Sequence, residues 1–461
     1  MHSDENRADT CANSPVVYTV EARCLGVIQS SRRRQEIYDV ANSFVGESAV
    51  MPAIYIQDKI AQMREAPSSS LSERLERLKK AGQFYEQATL AGLEPKAYAK
   101  LVTKVTGLQP SVIEQSLANI SHGLRHMSEI LQAATPAGAV WEYSHPLVNS
   151  GCSLFSRRGE VVSIIAAGNG PGAHGLWPQA VAMGYRTLVR PSTREPFTAQ
   201  RLICALEQAG LADYVALIPT DHKGVETLIS QSDLAVVYGG PDVAARYGSN
   251  PRVLVQGPGQ SKVVVGNDVC HEEAVEVVAQ SVLSLGGAAC VSASAVLVEE
   301  NPGGFARKLR QVFEAHSQVQ PMALAKKQEA EIYENLLRSD DAPWNYDRTL
   351  ISEGCPLKPH VALVESASDS KVQRELPFPC VTIAPFNQLG EEGYKALSGS
   401  LVVTLLTHQK SIINKVLGDS SIANVYIGHI PTTWMDYRVP HDGYLADFLM
   451  CNRGIRIDPL W

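Results

Sequence analysis

From Val161 onward the chain alternates short apolar runs with amphipathic stretches, and this alternation constrains its fold more than any other feature. Runs at 161–166 (VVSIIA), 186–190 (RTLVR), 214–218 (YVALI), 233–238 (DLAVVY) and 262–265 (KVVV) read as strands. Helices are predicted between them at about 175–183, 197–209, 222–230 and 240–248. Strands that are apolar throughout must be covered on both faces, and helical crossovers between parallel strands do this. A second run of the same kind opens with a helix over 272–285 and continues through strands at 295–298, 361–365, 380–385, 401–406 and 424–428. At 461 residues there is chain enough for two or three domains.

The stretch before Val161 reads differently. Residues 1 to about 15 look like a polar tail. From 16 to about 60 come short apolar runs (VVYTV, CLGVI, AVMPAIYI) with Arg32, Arg33 and Arg34 between them, an arginine triplet of the kind that forms a solvated face. After a serine break at 68–70, Ser70 and Glu73 have capping-box spacing, and Leu71, Leu75, Leu78, Ala81 and Tyr85 follow at helical intervals. A further amphipathic region covers about 94–131.

Charge and cysteine usage exclude several function classes. A net charge of −7 and a pI near 6.0 leave no basic face for nucleic acid and no polybasic membrane anchor. Nine cysteines, odd in number and never spaced as CxxC, argue for a reducing compartment and against a disulfide scaffold. No His, Cys or Asp cluster has metal-ligand spacing. The polar start MHSDENRADT does not read as a signal peptide and no apolar run has the length to span a bilayer, so a cytoplasmic location is expected.

Three stretches carry chemistry. LGGAACVSASAVLV (285–298) sets Cys290 after four tiny residues and before an apolar strand, where the backbone can approach a bulky substrate; alternatively it is a small buried residue, as free cysteines commonly are. Gly170-Pro171-Gly172-Ala173-His174-Gly175 is a literal GxGxxG between a strand and a predicted helix, as in a dinucleotide fingerprint or a turn made for packing. At the end of the next strand, where an acidic residue would hold an adenosine ribose, stands Arg190 with Arg194 nearby, which suits a 2′-phosphate and favours NADP over NAD. Asn169 precedes the glycines, either as a turn residue or as a fixed amide donor of the kind that stabilises an oxyanion.

In order, these pieces resemble the aldehyde dehydrogenase superfamily over about residues 70–461. VVSIIAAGNGP is similar to the family's strand and loop bearing the oxyanion asparagine, here Asn169. LVRPSTREPFTAQRL resembles its cofactor strand; Arg190 takes the place of a ribose-gripping lysine, Ser192 lies on the same turn, and Thr193 stands where NAD-preferring members are acidic. VVYGGPDVA resembles the second phosphate-capping turn at Gly239 and Gly240, GGAACVSAS the nucleophile segment at Cys290, and ELPFPCV the stretch whose glutamate, here Glu375, holds the nicotinamide ribose. The resemblance assigns the GxGxxG to the Asn169 loop and not to the pyrophosphate.

The resemblance implies an α/β fold of two Rossmann-type domains, cofactor-binding (66–138 and 157–258) and catalytic (259–432). A small β bridging or oligomerisation element and closing segment would come from 139–156 and 433–461, with 1–65 as an N-terminal extension and a homodimer or homotetramer as the assembly. In VQGPGQSKVVV, Gln256 occupies the place of the glutamate that activates hydrolytic water in oxidising members, and the glutamine that commonly precedes the nucleophile is replaced by Ala288. The GPG form is similar to the acylating branch. That branch implies NADPH-dependent (NADH being the other cofactor it could take) reduction of an acyl thioester, with acyl-CoA or a phosphopantetheine carrier protein as substrate. The alternatives are NAD(P)-dependent oxidation of an aldehyde and a non-catalytic scaffold. His441 beside Asp442 could orient or protonate, with a helix-capping role the simpler reading for the aspartate, and His174 could reach a substrate phosphate or pack in the core.

Overall fold

The computed structural model of the chain describes residues 17–319, 323–346, 354–458 and 460. The polar tail expected over 1–15 lies outside the described residues. One sheet has seven strands in the order Val253–Gln256, Leu234–Tyr238, Val161–Ile165, Arg186–Arg190, Val215–Leu217, Ala22–Cys24, Val27–Gln29. The first five are parallel. Their register sets Ile165 beside Arg190 and Val237, and Tyr238 beside Gln256. The loops bearing Asn169, Ser192, Gly240 and Gly257 therefore all leave one carboxyl edge, where open α/β sheets form their crevice.

A second sheet has six parallel strands in the order His360–Leu363, Cys380–Pro385, Ala293–Val298, Ser261–Val265, Val402–Leu406, Asn424–Ile427. KVVV belongs here and not with the run that precedes it, and Val253–Gln256 is a further strand at the edge of the first sheet. The fold is the expected aldehyde dehydrogenase-like α/β arrangement. Both sheets read as continuous apolar runs because helices cover both faces, burying Val263, Val296 and Ile383 against Val278 and Leu309 in the second.

Over the first sheet, the helix Leu71–Gln87 starts on the predicted capping box: the Ser70 side chain accepts the Glu73 amide, and the Ser70 N–H donates to Glu73 at 2.9 Å. Helices Pro95–Thr106, Pro110–Arg125 and Met127–Ala134 make up the second amphipathic region. The GxGxxG does not open the helix predicted over 175–183. Prolines at 171 and 178 divide it into a 3-10 turn, Pro171–Gly175, and a short α-helix, Pro178–Ala182.

The segment expected as an N-terminal extension is, over residues 17–65, built into the fold. Ala22–Cys24 pairs antiparallel with Val215–Leu217. The helix Ala53–Glu65 buries Ile56, Ile60 and Met63 against Val161, Leu188 and Ala216. Arg64 grips Asp233 through two bonds of 2.9 and 2.7 Å. Burial alone would raise the Asp233 carboxyl, but Arg64 and the Val161 and Glu160 amides hold it down to about 2. In the arginine triplet, Arg33 pairs with Asp221 at 2.8 Å and Arg34 with Glu21 at 2.7 Å.

Two distant stretches form a separate small sheet: Met450–Ile455 runs antiparallel to Cys152–Arg157, which is flanked by Ala139–Val140. Among the described residues no helix is long and apolar enough to cross a membrane.

Candidate active site

Cys290 is delivered by a turn that few sequences can make. After the helix His271–Leu283 the chain passes through positive φ at Leu285 (55°), Gly286 (70°) and Gly287 (65°). A side chain at Gly287 would put its Cβ 2.3 Å from the Pro379 nitrogen, so glycine is required by space as well as by backbone angle. Cys290 then sits just before the strand Ala293–Val298, and the nucleophile segment meets the carboxyl edge of the first sheet through Asn169 and Tyr238. Its carbonyl accepts a 2.9 Å bond from the Ser261 hydroxyl, and a Cβ at Gly259 would come within 1.7 Å of that same oxygen. The backbone of the nucleophile segment is clamped from beneath.

Across the cleft, the Asn169 side-chain amide donates to the Ala288 carbonyl at 2.9 Å, tying its loop to the nucleophile turn. An amide nitrogen has two N–H donors, so a second remains for a ligand. His441, from the chain that closes over the cleft, puts Nε2 3.7 Å from the Cys290 sulfur. His441, Gln256 and Tyr238 line one small cavity of about 30 Å³. A second cavity of about 20 Å³, on the Val291 and Asn424 side, is also bordered by His441. Asp442 does not cap the following helix, which begins at Leu445 with Tyr444 as its cap; instead its charge acts on Cys290 and His441.

Burial, reinforced by Glu375 and Asp442, pushes the Cys290 thiol up to about 12, although the backbone amides of Cys290 and Val291 oppose the shift. Those amides point at the sulfur region and so are placed for an oxyanion. Burial holds His441 below the ordinary histidine value, with Asp442 opposing. Glu375 accepts the Gln260 N–H at 3.2 Å. The surrounding protein raises its carboxyl, against the Gln260 and Gly259 amides and Lys262. Lys262 is wholly buried, bonded to the Gln260 carbonyl at 2.8 Å and to Gln373 at 3.1 Å, and burial lowers it to about 8.

The residues expected to hold a dinucleotide lie along the carboxyl edge. Thr193 and Gly240 are exposed, and a Cβ at Gly240 would meet nothing within 4 Å, leaving free approach to the backbone there. Gly239 is filled from behind, by Val243. Arg190 donates from Nε to the Thr220 carbonyl at 3.4 Å, and burial lowers its guanidinium below the usual value. Arg194 reaches across to Glu329 at 3.5 Å. Ser192 turns inward: its hydroxyl accepts the Arg194 N–H at 3.2 Å and lies where a Cβ on Gly168 would fall, 2.1 Å away. It braces the Asn169 loop. With open backbone at Gly240 and two guanidinium groups at and just after the end of the strand Arg186–Arg190, the edge fits a phosphate-bearing dinucleotide.

His174 is removed from this surface. It is fully buried, its Nδ1 accepts the Trp177 indole N–H at 3.1 Å, and burial pushes it down to about 4. Sequence reasoning missed Tyr238, Gly259, Ser261, Lys262 and Asn424. Only the GPGQSK stretch carried a signal for any of them, and it identified a segment without giving roles. Among the described residues no three His, Cys, Asp or Glu side chains gather as metal ligands.

A profile described as the aldehyde dehydrogenase family matches residues 56–445. An aldehyde-dehydrogenase-like protein of Sinorhizobium fredii is 28% identical over 133 residues, 28% of this chain and 26% of that protein. Malonate-semialdehyde dehydrogenase 1 of Geobacillus kaustophilus is 29% identical over 161 residues, 33% of each chain. The chain spans about a quarter to a third of the length of these curated relatives. Among solved structures, an NAD-dependent aldehyde dehydrogenase from Sinorhizobium meliloti superposes with a TM-score of 0.79 over 96% of this chain and 95% of that one, at 15% identity. At that identity the likeness is one of fold.

Proposed function

The chain belongs to the aldehyde dehydrogenase family, and from that premise we propose that it reduces an acyl thioester to an aldehyde through an acyl-enzyme on Cys290, with NADPH as the preferred cofactor. The observation that carries this reading is Gln256. It lines the cavity that His441, the contact of the Cys290 sulfur, also lines, and by the sequence resemblance it stands where oxidising members carry the carboxylate that activates water. A side-chain amide cannot take a proton from water at neutral pH. An acyl-enzyme that awaits reduction must not be hydrolysed first, so a site without that base suits reduction.

The Cys290 sulfur, once deprotonated, attacks the thioester carbonyl, since the thiolate is the nucleophilic form. The free N–H of Asn169 and the Cys290 backbone N–H receive the oxyanion, each worth about 3 kcal/mol of barrier. The carrier thiol leaves, whether CoA or a phosphopantetheine arm. When bound, NADPH supplies the hydride that converts the acyl group to an aldehyde. Glu375 would hold the nicotinamide ribose, while Arg190, Thr193 and Arg194 would accept a 2′-phosphate, Arg194 by exchanging Glu329 for it.

Purified protein given acyl-CoA and NADPH should consume NADPH and release free thiol, and Cys290→Ala should lower the rate at least ~10³-fold, the scale of losing an activated nucleophile. An active Cys290→Ala enzyme would end the proposal. Gln256→Glu should increase thioester hydrolysis without NADPH; no increase would remove the argument from Gln256. One observation favours oxidation of an aldehyde as a second reading: Asp442 sets a carboxylate near Cys290 and His441. Aldehyde-dependent reduction of NADP⁺ that Asp442→Asn abolishes would select it.

A further inference from the structure

The Cys290 thiol has to lose its proton in a place that resists it, since burial and two carboxylates all favour the protonated form. Gln256, on the cavity that His441 also lines, is no base. We infer that His441 is the acid–base partner of Cys290, taking the thiol proton at Nε2 and returning it to the sulfur that leaves. The inference rests on the reading of Cys290 as a nucleophile toward thioesters.

Geometry carries the argument. Nε2 stands 3.7 Å from Sγ, within hydrogen-bond reach for sulfur. Nδ1 is buried and has no hydrogen-bonding partner among the described residues, so the thiol is the ring's polar contact. The ring is held by its own backbone: the buried Asn424 amide donates to the His441 carbonyl and, at 3.0 Å, to the Leu401 carbonyl. Asn424 starts a strand of the second sheet, so the closing segment is docked onto the same rigid layer that carries Cys290. A neutral imidazole can accept a proton at one nitrogen.

The competing groups do not serve. Tyr238, facing from the first sheet, is a phenol raised by burial and by Cys290 itself. Tyr437 is raised to about 12 by burial, and Tyr426 is raised as well. Asp436 and Tyr444 border the cavities that His441 lines, and Glu375 and Asp442 are carboxylates whose charge raises the thiol. The transfers balance. The proton passes from Sγ to Nε2 as the sulfur–carbon bond forms and the carbonyl pair moves to oxygen. That pair returns, the bond from carbon to the carrier sulfur breaks, and the carrier sulfur takes the proton from Nε2.

The test is alkylation of the full-length protein by iodoacetamide between about pH 5.5 and 9.5, with modified Cys290 quantified by peptide mass spectrometry. With His441 as base, the neutral imidazole takes the proton as the sulfur is alkylated, so the rate should reach a plateau once His441 is deprotonated, below the ordinary histidine value of about 6.5. His441→Gln and His441→Asn, each checked by thermal melting, should lose the plateau, rise about tenfold per pH unit, and react at least ~10-fold more slowly at pH 7. A wild-type rate that climbs without a plateau overturns the inference even if neither variant folds. So does a plateau that survives in a folded variant. Alkylation needs neither thioester nor NADPH, so a normal plateau in a protein that leaves acyl-CoA untouched would sink the thioester reading while keeping His441 as the base toward Cys290.

Discussion

His174 and His441 show how little a residue's neighbours in sequence say about its task. His174 sits in the glycine-rich loop, where a phosphate contact was one reading, yet it is sealed in the core against Trp177. Its folded pKa of about 4 lies below the unfolded value of about 6.5, so the unfolded chain binds the proton first as pH falls. Its contribution to stability is complete above about pH 6.5 and is lost progressively down to about pH 4. Melting temperatures across this window should fall more steeply in the wild type than in His174→Phe, and equal slopes would refute the assignment. His441 came into view only as half of a His–Asp pair near the C-terminus. Cys290 and Asn169 were legible because each is framed by glycines and alanines that leave a recognisable trace.

At the scale of elements, the turn bearing Glu375 is held by a buried charge cluster. The Asp340 side chain is fully buried, accepting from His360 at 2.7 Å and Arg374 at 2.8 Å, with Lys371 at 3.2 Å. Lys371 lies within, and Arg374 caps, the short helical turn Ser370–Gln373 that leads to Glu375. Burial alone would raise the Asp340 carboxyl, but Arg374 and then His360 hold it below its ordinary value. The contribution to stability is therefore present above the unfolded value of about 4 and is lost as pH falls through the lower folded value. Asp340→Asn should destabilise the fold by about 2–3 kcal/mol in urea titration, leaving two cations short of a partner. It should also raise the KM for cofactor through Glu375 while leaving Cys290 alkylation unchanged; an unchanged KM would show that the cluster serves stability alone. Nothing in the local sequence announces this cluster, because Asp340 and Arg374 meet only through tertiary packing.

For the whole molecule, the small sheet of Met450–Ile455, Cys152–Arg157 and Ala139–Val140 offers an open edge. Met450–Ile455 pairs on one side with Cys152–Arg157, and Asn452, Arg453 and Gly454 are exposed. An exposed strand edge is a template for pairing with another chain, and we propose that a second copy of this chain covers it in a homodimer or homotetramer. Light scattering should give a multiple of the chain mass, and Asn452→Pro, which removes an N–H donor from the strand, should shift the protein toward monomer. A monomeric wild type would refute this.

The sequence by itself determined the α/β class, the cofactor-side strands with their carboxyl-edge loops, and the cysteine and asparagine of the candidate site. These are written in local periodicity and in tight glycine turns, which a chain must encode next to the residues they serve. It assigned residues 1–65 to an extension because two three-residue strands are too short to show a period, whereas pairing with Val215–Leu217 builds Ala22–Cys24 into the first sheet and the Ala53–Glu65 helix buries its apolar face against that sheet. Only the tertiary structure decided that His441 faces the thiol, that Ser192 braces a loop, and that His174 is core. His441 and Cys290 are 151 residues apart, and the places of Ser192 and His174 depend on how their loops pack against the rest of the fold, so no local pattern has the reach to specify them.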